Sequence, residues 1–300
     1  MDDATYDKYI LAGKIASSAR NYGAGLVKSG VSFLEVANKI ESKITKEGAG
    51  IAFPVNLSIN ETAAHYSPKY DDKLTFKKGD VVKIDVGAHI DGYIADTAVT
   101  VEVDTNKYRD MIKASSTALD AAIDMMQSDV EISLVGKKIQ ETIESYGCKP
   151  INNLTGHSLE QYSLHSGISI PNVSDMFNKS KAEEGCVFAI EPFATDGAGH
   201  VVSGQDSNIY LCKKSLRSRL ARDNRSKIYF NKIQSQFKTL PFAQRWCEKS
   251  FTNFELVLRR LTFLGLLHHF PQLLEAGDGI VTQKEHTVIV KEDGCEVTTK

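Results

Sequence analysis

The chain has 300 residues, 42% hydrophobic and 25% charged, a balance that excludes a largely disordered polypeptide and supplies enough apolar material for a sizeable core. A formal net charge of −2 creates no overall field that would gather nucleic acid or an anionic membrane. No apolar stretch approaches the roughly 20 residues that span a bilayer, and the opening MDDATYDKYI lacks the basic-then-apolar layout of a secretory leader, so a cytoplasmic location is expected.

Residues 5–27 read as a helix that stops before Gly30, and Ser32 with Glu35 forms an S-x-x-E capping box opening a second helix. Val36, Ile40 and Ile44 give that helix an apolar face, and Gly48 can close it. An apolar, Pro-containing segment over 51–59 leads into NETAAHYSP. Residues 81–86 alternate toward a strand, Asp91-Gly92 signals a tight hairpin turn, and residues 94–103 form the return strand. The plan then repeats. Tyr108, Ile112, Leu119, Ile123 and Met126 mark a third helix, and Val135, Ile139 and Ile143 mark a fourth that stops at Gly147. Strand-like segments follow in NLTGHSLEQYSLH, CVFAIEPFA and HTVIV, so a duplicated α+β half is expected.

Between 203 and 274 the texture changes, with a basic run over 213–227, the single Trp246 and the helical periodicity of FELVLRRLTFLGLL. Metal-capable residues lie on both sides of it. The segment therefore reads as a helical insert, 203–274, in a domain formed by 1–202 and 275–300. Its basic run is either a solvated helical face or a contact for an acidic partner such as ribosomal RNA. Cys148, Cys186, Cys212, Cys247 and Cys295 are odd in number and show no C-x-x-C pair, so they read as thiols outside any disulfide framework.

Five side chains able to hold a metal stand out: Asp85, Asp96, His157, Glu191 and Glu285, each in an apolar, strand-like setting. With Asp91 and Gly92 as the two central turn residues, Ile90 pairs with Tyr93 and Asp85 faces Ala98, which places Asp96 on the same face as Asp85. Diagonal neighbours on one face lie roughly 7–8 Å apart. Two such carboxylates repel strongly unless a cation lies between them. His157 alone is as readily a satisfied structural residue, and Glu191 or Glu285 alone could be a strand end facing water. Together, four carboxylates and one imidazole carry more negative charge than one hard divalent ion needs, which favours two metals.

The motifs AAHYSP, KIDVGAHIDGYIADTAVTV, NLTGHSLEQYSLHSG, AIEPFA and QKEHTVIV, spread over 53–290, resemble those of type 2 methionine aminopeptidases of the short archaeal kind, in the M24 metallopeptidases. The polybasic N-terminal extension of eukaryotic members is missing, and the long insert before Glu285 resembles type 2 enzymes. The resemblance implies the pita-bread (creatinase/aminopeptidase) α+β fold, with two pseudo-symmetric halves. It also implies two divalent cations, of Co, Mn, Fe or Zn. Asp85 would bind one, His157 and Glu191 would complete the other, and Asp96 and Glu285 would bridge both. Glu191 would be the general base, while His65 and His165 would contact the scissile amide. Phe53, Leu164, His165, Phe193 and Phe270 would form the methionine pocket, with His65 beside it. The implied activity removes the initiator methionine from the N-termini of nascent polypeptides when the next residue is small. The chain would act as a monomer, and ribosome contact would come through the basic insert. Two readings stand beside this one: a catalytically inactive relative that binds RNA or protein, and an X-Pro peptidase of the same fold. Pro192 directly after Glu191 is a departure from the family pattern, and RSRLARDNRSK carries no assignable motif.

Overall fold

Helix α1 (Asp3–Leu26) starts where the Asp2 side chain accepts the Thr5 N–H at 2.7 Å, and α2 (Phe33–Lys46) starts at Ser32, whose Oγ accepts the Glu35 N–H at 3.4 Å. Gly48, at φ 89°, supplies the left-handed residue just beyond α2. The computed structural model describes residues 1–213, 224–248 and 250–300. Strands β1 (Gly50–Ile59), β2 (Thr62–Ala64), β3 (Val81–Ile90) and β4 (Tyr93–Glu102) follow, and β1, β3 and β4 form one antiparallel sheet. The hairpin has the register counted from its turn: Ile90 pairs with Tyr93, Asp85 with Ala98 and Gly87 with Asp96. Asp91 at φ 51° and Gly92 at φ 90° give the twist that a two-residue loop needs.

The second half is built from α3 (Arg109–Met125), α4 (Ile132–Ser145), β5 (Lys149–Pro150), β6 (Thr155–Ser158), β7 (Ser169–Pro171), β8 (Val187–Ile190) and β9 (Phe193–Thr195). The insert region holds β10 (Val201–Cys212), α5 (Asn224–Phe237), β11 (Phe242–Ala243), a 3-10 turn (Gln244–Cys247), α6 (Phe254–Phe263) and β12 (Leu267–Glu275). The chain ends in β13 (Val281–Gln283), β14 (His286–Lys291) and β15 (Gly294–Val297). Strands β15-β14-β8-β6-β7 form a second large sheet, β13-β9-β5 a small one, and β11-β10-β12-β2 a fourth that ties the insert region to the first half.

In each half two helices cover one sheet. Ala12, Ala16 and Ala19 of α1 pack with Val36 and Ile40 of α2 against Ile84 and Val86, while Ala118 and Leu119 of α3 pack with Val135 and Ile139 of α4 against Phe188 and Val288. The insert region has its own core, including Phe230, Phe242, Leu258 and Leu261.

Two segments differ from the sequence reading. The 203–274 region opens and closes in strands rather than helix. Bulges between Ser203 and Asp206 and between Asp206 and Tyr210 reset the two-residue alternation, so no strand period is visible there. NLTGHSLEQYSLH is a strand only over Thr155–Ser158, and the chain then turns into a loop in which Tyr162 takes φ 56°. Within the basic run over 213–227, residues 214–223 lie outside the described residues. All five cysteines are free.

A seam of short-range bonds joins the halves. The Ala98 N–H donates to Glu285 O (3.4 Å) and the Glu285 N–H to Ala98 O (3.1 Å). Thr287 Oγ1 accepts the Asp96 N–H (2.7 Å) and donates to Asp96 O (2.8 Å), and Thr100 Oγ1 donates to Gln283 O (2.7 Å). Behind it, buried Arg20 of α1 donates to Thr97 Oγ1 and to Thr299 O (3.1 Å), and Thr97 Oγ1 donates to Glu285 O (2.9 Å). Helix α1 can reach this seam because Gly13 lets it approach the C-terminal segment: a Cβ there would lie 2.2 Å from Thr298 O. Gly13→Ala is expected to destabilise the protein by about 1–3 kcal/mol through overpacking, read as a lower denaturant midpoint with an unchanged slope.

Candidate metal centre

The seam sets carboxylates from both halves around one cleft of about 530 Å³. Asp85 comes from the middle of β3, and Asp96 from its diagonal position on β4. His157 lies in β6, paired with Ala189 of β8, and Glu191 follows the last residue of β8. Glu285 stands just before β14, where the seam bonds to Ala98 hold its backbone. All five line the cleft, as do Phe53, His65, Leu164, His165 and Phe270.

Phe193 does not line it. The ladder breaks at Glu191–Pro192, where proline offers no N–H, and Phe193 resumes in β9 opposite Gln283, buried with Ala63, Ile151, Val201 and Val281. Asn56, Ala64, Ile209, Pro241 and the β12 residue Phe270 reach the cleft from strands and loops distant in sequence. Among them only Phe270 is named individually from sequence, while Ile209 lies in the segment GAGHVVSGQDSNIYL, read as a further pocket wall; a lone Asn, Ala or Pro carries no chemical signature. Asn56 is set opposite Asp85 by the β1–β3 register, with its Nδ2 3.4 Å from Asp85 Oδ2.

Burial dominates the electrostatics. It pushes the Asp85 carboxyl up to about 7, against the pull of hydrogen bonds from Asp96, Asn56 and the Val86 N–H. Burial, then the negative charges of Asp85 and Glu191, lift Asp96 well above the ordinary carboxylate range. Glu191 is raised by burial and Asp85, opposed by Gln283, whose Nε2 donates to Glu191 Oε2 at 3.1 Å. Glu285 is raised by burial and by Asp96, Glu191 and Asp85, with Arg20 opposing. Burial also holds His157 down at about 3 and His65 at about 4, each helped by His165, so all three rings favour the neutral form.

The donor set fits a divalent cation. One ligand atom each from Asp96, His157 and Glu285 lie within 4.8 Å of one another, and His157 Nε2 lies 3.8 Å from both Asp96 Oδ2 and Glu191 Oε1. Asp85 Oδ1 and Asp96 Oδ1 are buried without a hydrogen-bond partner, which leaves lone pairs for an ion. Hard oxygen donors with one neutral imidazole suit Mn, Fe, Co or Zn rather than a thiolate-selective metal.

The raised carboxyl values have a consequence for stability. A carboxyl that ionises near 3.8 when unfolded and at about 7 when folded, as for Asp85, contributes stability that is complete below the lower value and lost as pH rises through the upper one. Asp96, Glu191 and Glu285 act in the same sense. The lowered histidines act oppositely below about 6.5, so the comparison belongs above that pH. Chelator-treated protein should melt lower at about pH 8 than at about pH 6.5, and saturating Mn²⁺ should raise the melting temperature more at the higher pH. Scanning fluorimetry with and without Mn²⁺ checks both.

Comparison with known proteins places this geometry in a family. A model described as metallopeptidase family M24 matches residues 7–292. A methionine aminopeptidase of Methanocaldococcus jannaschii is 47% identical over 302 residues, covering 100% of both chains. Among solved structures, a methionine aminopeptidase from Thermotoga maritima superposes with a TM-score of 0.74 at 22% identity, over 100% of this chain and 98% of that one. The structure of a thermophilic Arx1 gives a TM-score of 0.86 at 16% identity, over 99% and 91%. These two likenesses speak for the fold alone, which is the pita-bread arrangement. With its end-to-end relatives and a matching model that spans nearly all of it, the chain belongs to metallopeptidase family M24.

Proposed function

We propose that the chain is a type 2 methionine aminopeptidase, which holds two divalent cations and removes the initiator methionine from nascent polypeptides whose second residue is small. The observation that carries this reading is the meeting, in one cleft, of four carboxylates and His157 with the neutral rings of His65 and His165 beside an apolar wall. Methionine aminopeptidases matched over the full chain length support it.

In this reading Asp85 would hold one cation, His157 and Glu191 would hold the other, and Asp96 and Glu285 would serve both. When bound, the cations lower the pKa of water and polarise the scissile carbonyl. Glu191 takes the proton from the attacking water and passes it to the leaving amine. Its Oε2 is steadied by Gln283, while Oε1 faces His157, and its raised proton affinity suits a group that must both accept and release. His65 and His165, neutral at working pH, can donate an N–H to the scissile amide and to the oxyanion of the tetrahedral intermediate. Phe270 meets His65 edge-on at 5.5 Å, and the His165 ring lies 4.3 Å from that of His157. Phe53, Leu164, Phe270, Ile209 and Pro241 offer a largely apolar surface to an unbranched thioether.

Residues 1–202 and 275–300 then make the catalytic domain and 203–274 the type 2 insert, acting as a monomer in the cytoplasm. No described helix is long and apolar enough to cross a membrane. A binding-only relative and an X-Pro peptidase remain unfavoured, since all five donors are present and the curated relatives share the methionine-releasing name.

Protein reconstituted with Mn²⁺ or Co²⁺ should cleave Met-Ala-Ser and leave Ala-Pro substrates intact; the reverse preference would overturn the assignment. Asp85→Ala should lower metal content and reduce kcat/KM by at least about 100-fold. His65→Ala should lower kcat by about 10- to 1000-fold with little change in KM, as expected for a donor that matters most in the transition state.

A further inference from the structure

The insert region reaches the support of the cleft through several contacts, and the buried side chain of Arg245 is the one that ties two of its parts together. Arg245 lies in the 3-10 turn Gln244–Cys247, and its guanidinium is shared between two segments. Nη2 pairs with Glu41 of α2, and Nη1 donates to Ser67 Oγ at 2.8 Å and to Pro68 O at 2.9 Å. Glu41 also accepts from Trp246 Nε1 (2.9 Å) and from the Val55 N–H (3.2 Å). Ser67 is held from other sides too. Its Oγ donates to Val55 O (2.9 Å), its N–H donates to Ser207 O (3.2 Å), and its carbonyl accepts from Asn208 Nδ2 (2.9 Å).

Two residues before this knot stands His65, in the left-handed region at φ 67°, with Nδ1 buried and unpartnered. A non-glycine residue in that conformation costs about 1–3 kcal/mol and persists only where its surroundings impose it. Leu57 and Ser58 grip the intervening Tyr66: the Leu57 N–H donates to Tyr66 O (2.8 Å), and Ser58 Oγ accepts the Tyr66 N–H (3.2 Å). After Tyr66 the chain is held by the bonds of Ser67 to Val55, Ser207 and Asn208, and Arg245 joins them as the group that also ties this turn to Glu41 of α2. A buried ion pair is a weak source of stability, because an apolar pair of similar volume serves as well. What the guanidinium adds is direction, since its planar fork fits only one arrangement of acceptors.

We propose that Arg245 is a positioning residue for the peptidase reaction: its fork on Glu41, Ser67 and Pro68 fixes the turn after His65, so that the His65 ring keeps its place in the cleft. The proposal rests on the reading of His65 as a residue that contacts substrate. The insert region thereby contributes to catalysis through a residue that itself touches neither substrate nor metal.

The test is a double-mutant cycle on the metal-loaded enzyme with Met-Ala-Ser. Arg245→Met should lower kcat by about 10-fold or more with KM nearly unchanged, and Arg245→Lys, which keeps the charge without the fork, should recover only part of it. In a His65→Ala background Arg245→Met should cost nothing further in kcat, while its effect on melting temperature should be the same in both backgrounds. Ser67→Ala, a milder change, should show the same coupling and carries the cycle if Arg245→Met does not fold. Independently of activity, NMR of histidine-labelled protein should show the His65 Hε1 signal, identified by its loss in His65→Ala, shifted or broadened in Arg245→Met. Equal losses of kcat in both backgrounds, or an unmoved His65 signal, would overturn the proposal. A His65→Ala enzyme with undiminished kcat would instead remove the reading of His65 itself, and the role of Arg245 would fall with it.

Discussion

Four carboxyl groups cannot share a buried cleft as anions unless positive charge balances them. Asp85 and Asp96 meet this constraint from two paired strands, Glu191 and Glu285 from the ends of two others, and each answers it by holding its proton more tightly than an exposed acid would. The nearest permanent cation among the groups that act on them, Arg20, stands behind the seam and bears on Glu285 alone. An ion within the cleft would supply the compensation that lets these acids ionise. Around that requirement the backbone is arranged to keep its own polar groups occupied: Thr97, Thr100 and Thr287 spend their hydroxyls on seam carbonyls, which leaves the acids to face inward.

The cleft has two walls of opposite character. One is polar and comes from the two halves, on strands whose register is set by tight pairing. The other is apolar and mixed in origin, with Phe53 and Leu164 from the cluster between the halves and Ile209, Pro241 and Phe270 from the insert region and its flanking strands. The insert region also touches the histidine loops from outside. Thr239 Oγ1 donates to Tyr162 O on the loop that leads to Leu164 and His165, and the Lys238 ammonium lies 3.8 Å from the centre of the Tyr162 ring. Tyr162 in turn packs against Gly92 at the tip of the β3–β4 hairpin and against His89. The polar wall supplies the donors that suit a divalent ion, and the apolar wall supplies contact surface.

What could be read from sequence follows from how local each signal is. The β3–β4 register was legible because Asp91-Gly92 defines the turn, and counting outward from it is enough to set Asp85 and Asp96 on one face. The start of α2 was legible because Ser32 and Glu35 lie within one turn of each other. The neighbours of Phe193 were not legible, because the break at Pro192 changes its surroundings and an aromatic side chain gives no hint of what it packs against. The strands β10 and β12 were hidden by bulges that erase their period. Arg245 and Glu41, 204 positions apart in the chain, resemble ordinary surface charges until folding buries them together.

The seam also bears on how the molecule assembles. Thr97 meets the Glu285 carbonyl across 188 positions, and Asp96 meets Thr287 across 191, so these bonds close some of the longest loops in the chain. Contacts of such separation repay their closure entropy only after the regions between them have collapsed. The two hairpin acids are thus ready early, while the partner that completes their cage arrives last. Glu285 thus joins the cleft through bonds that depend on the packing of both halves.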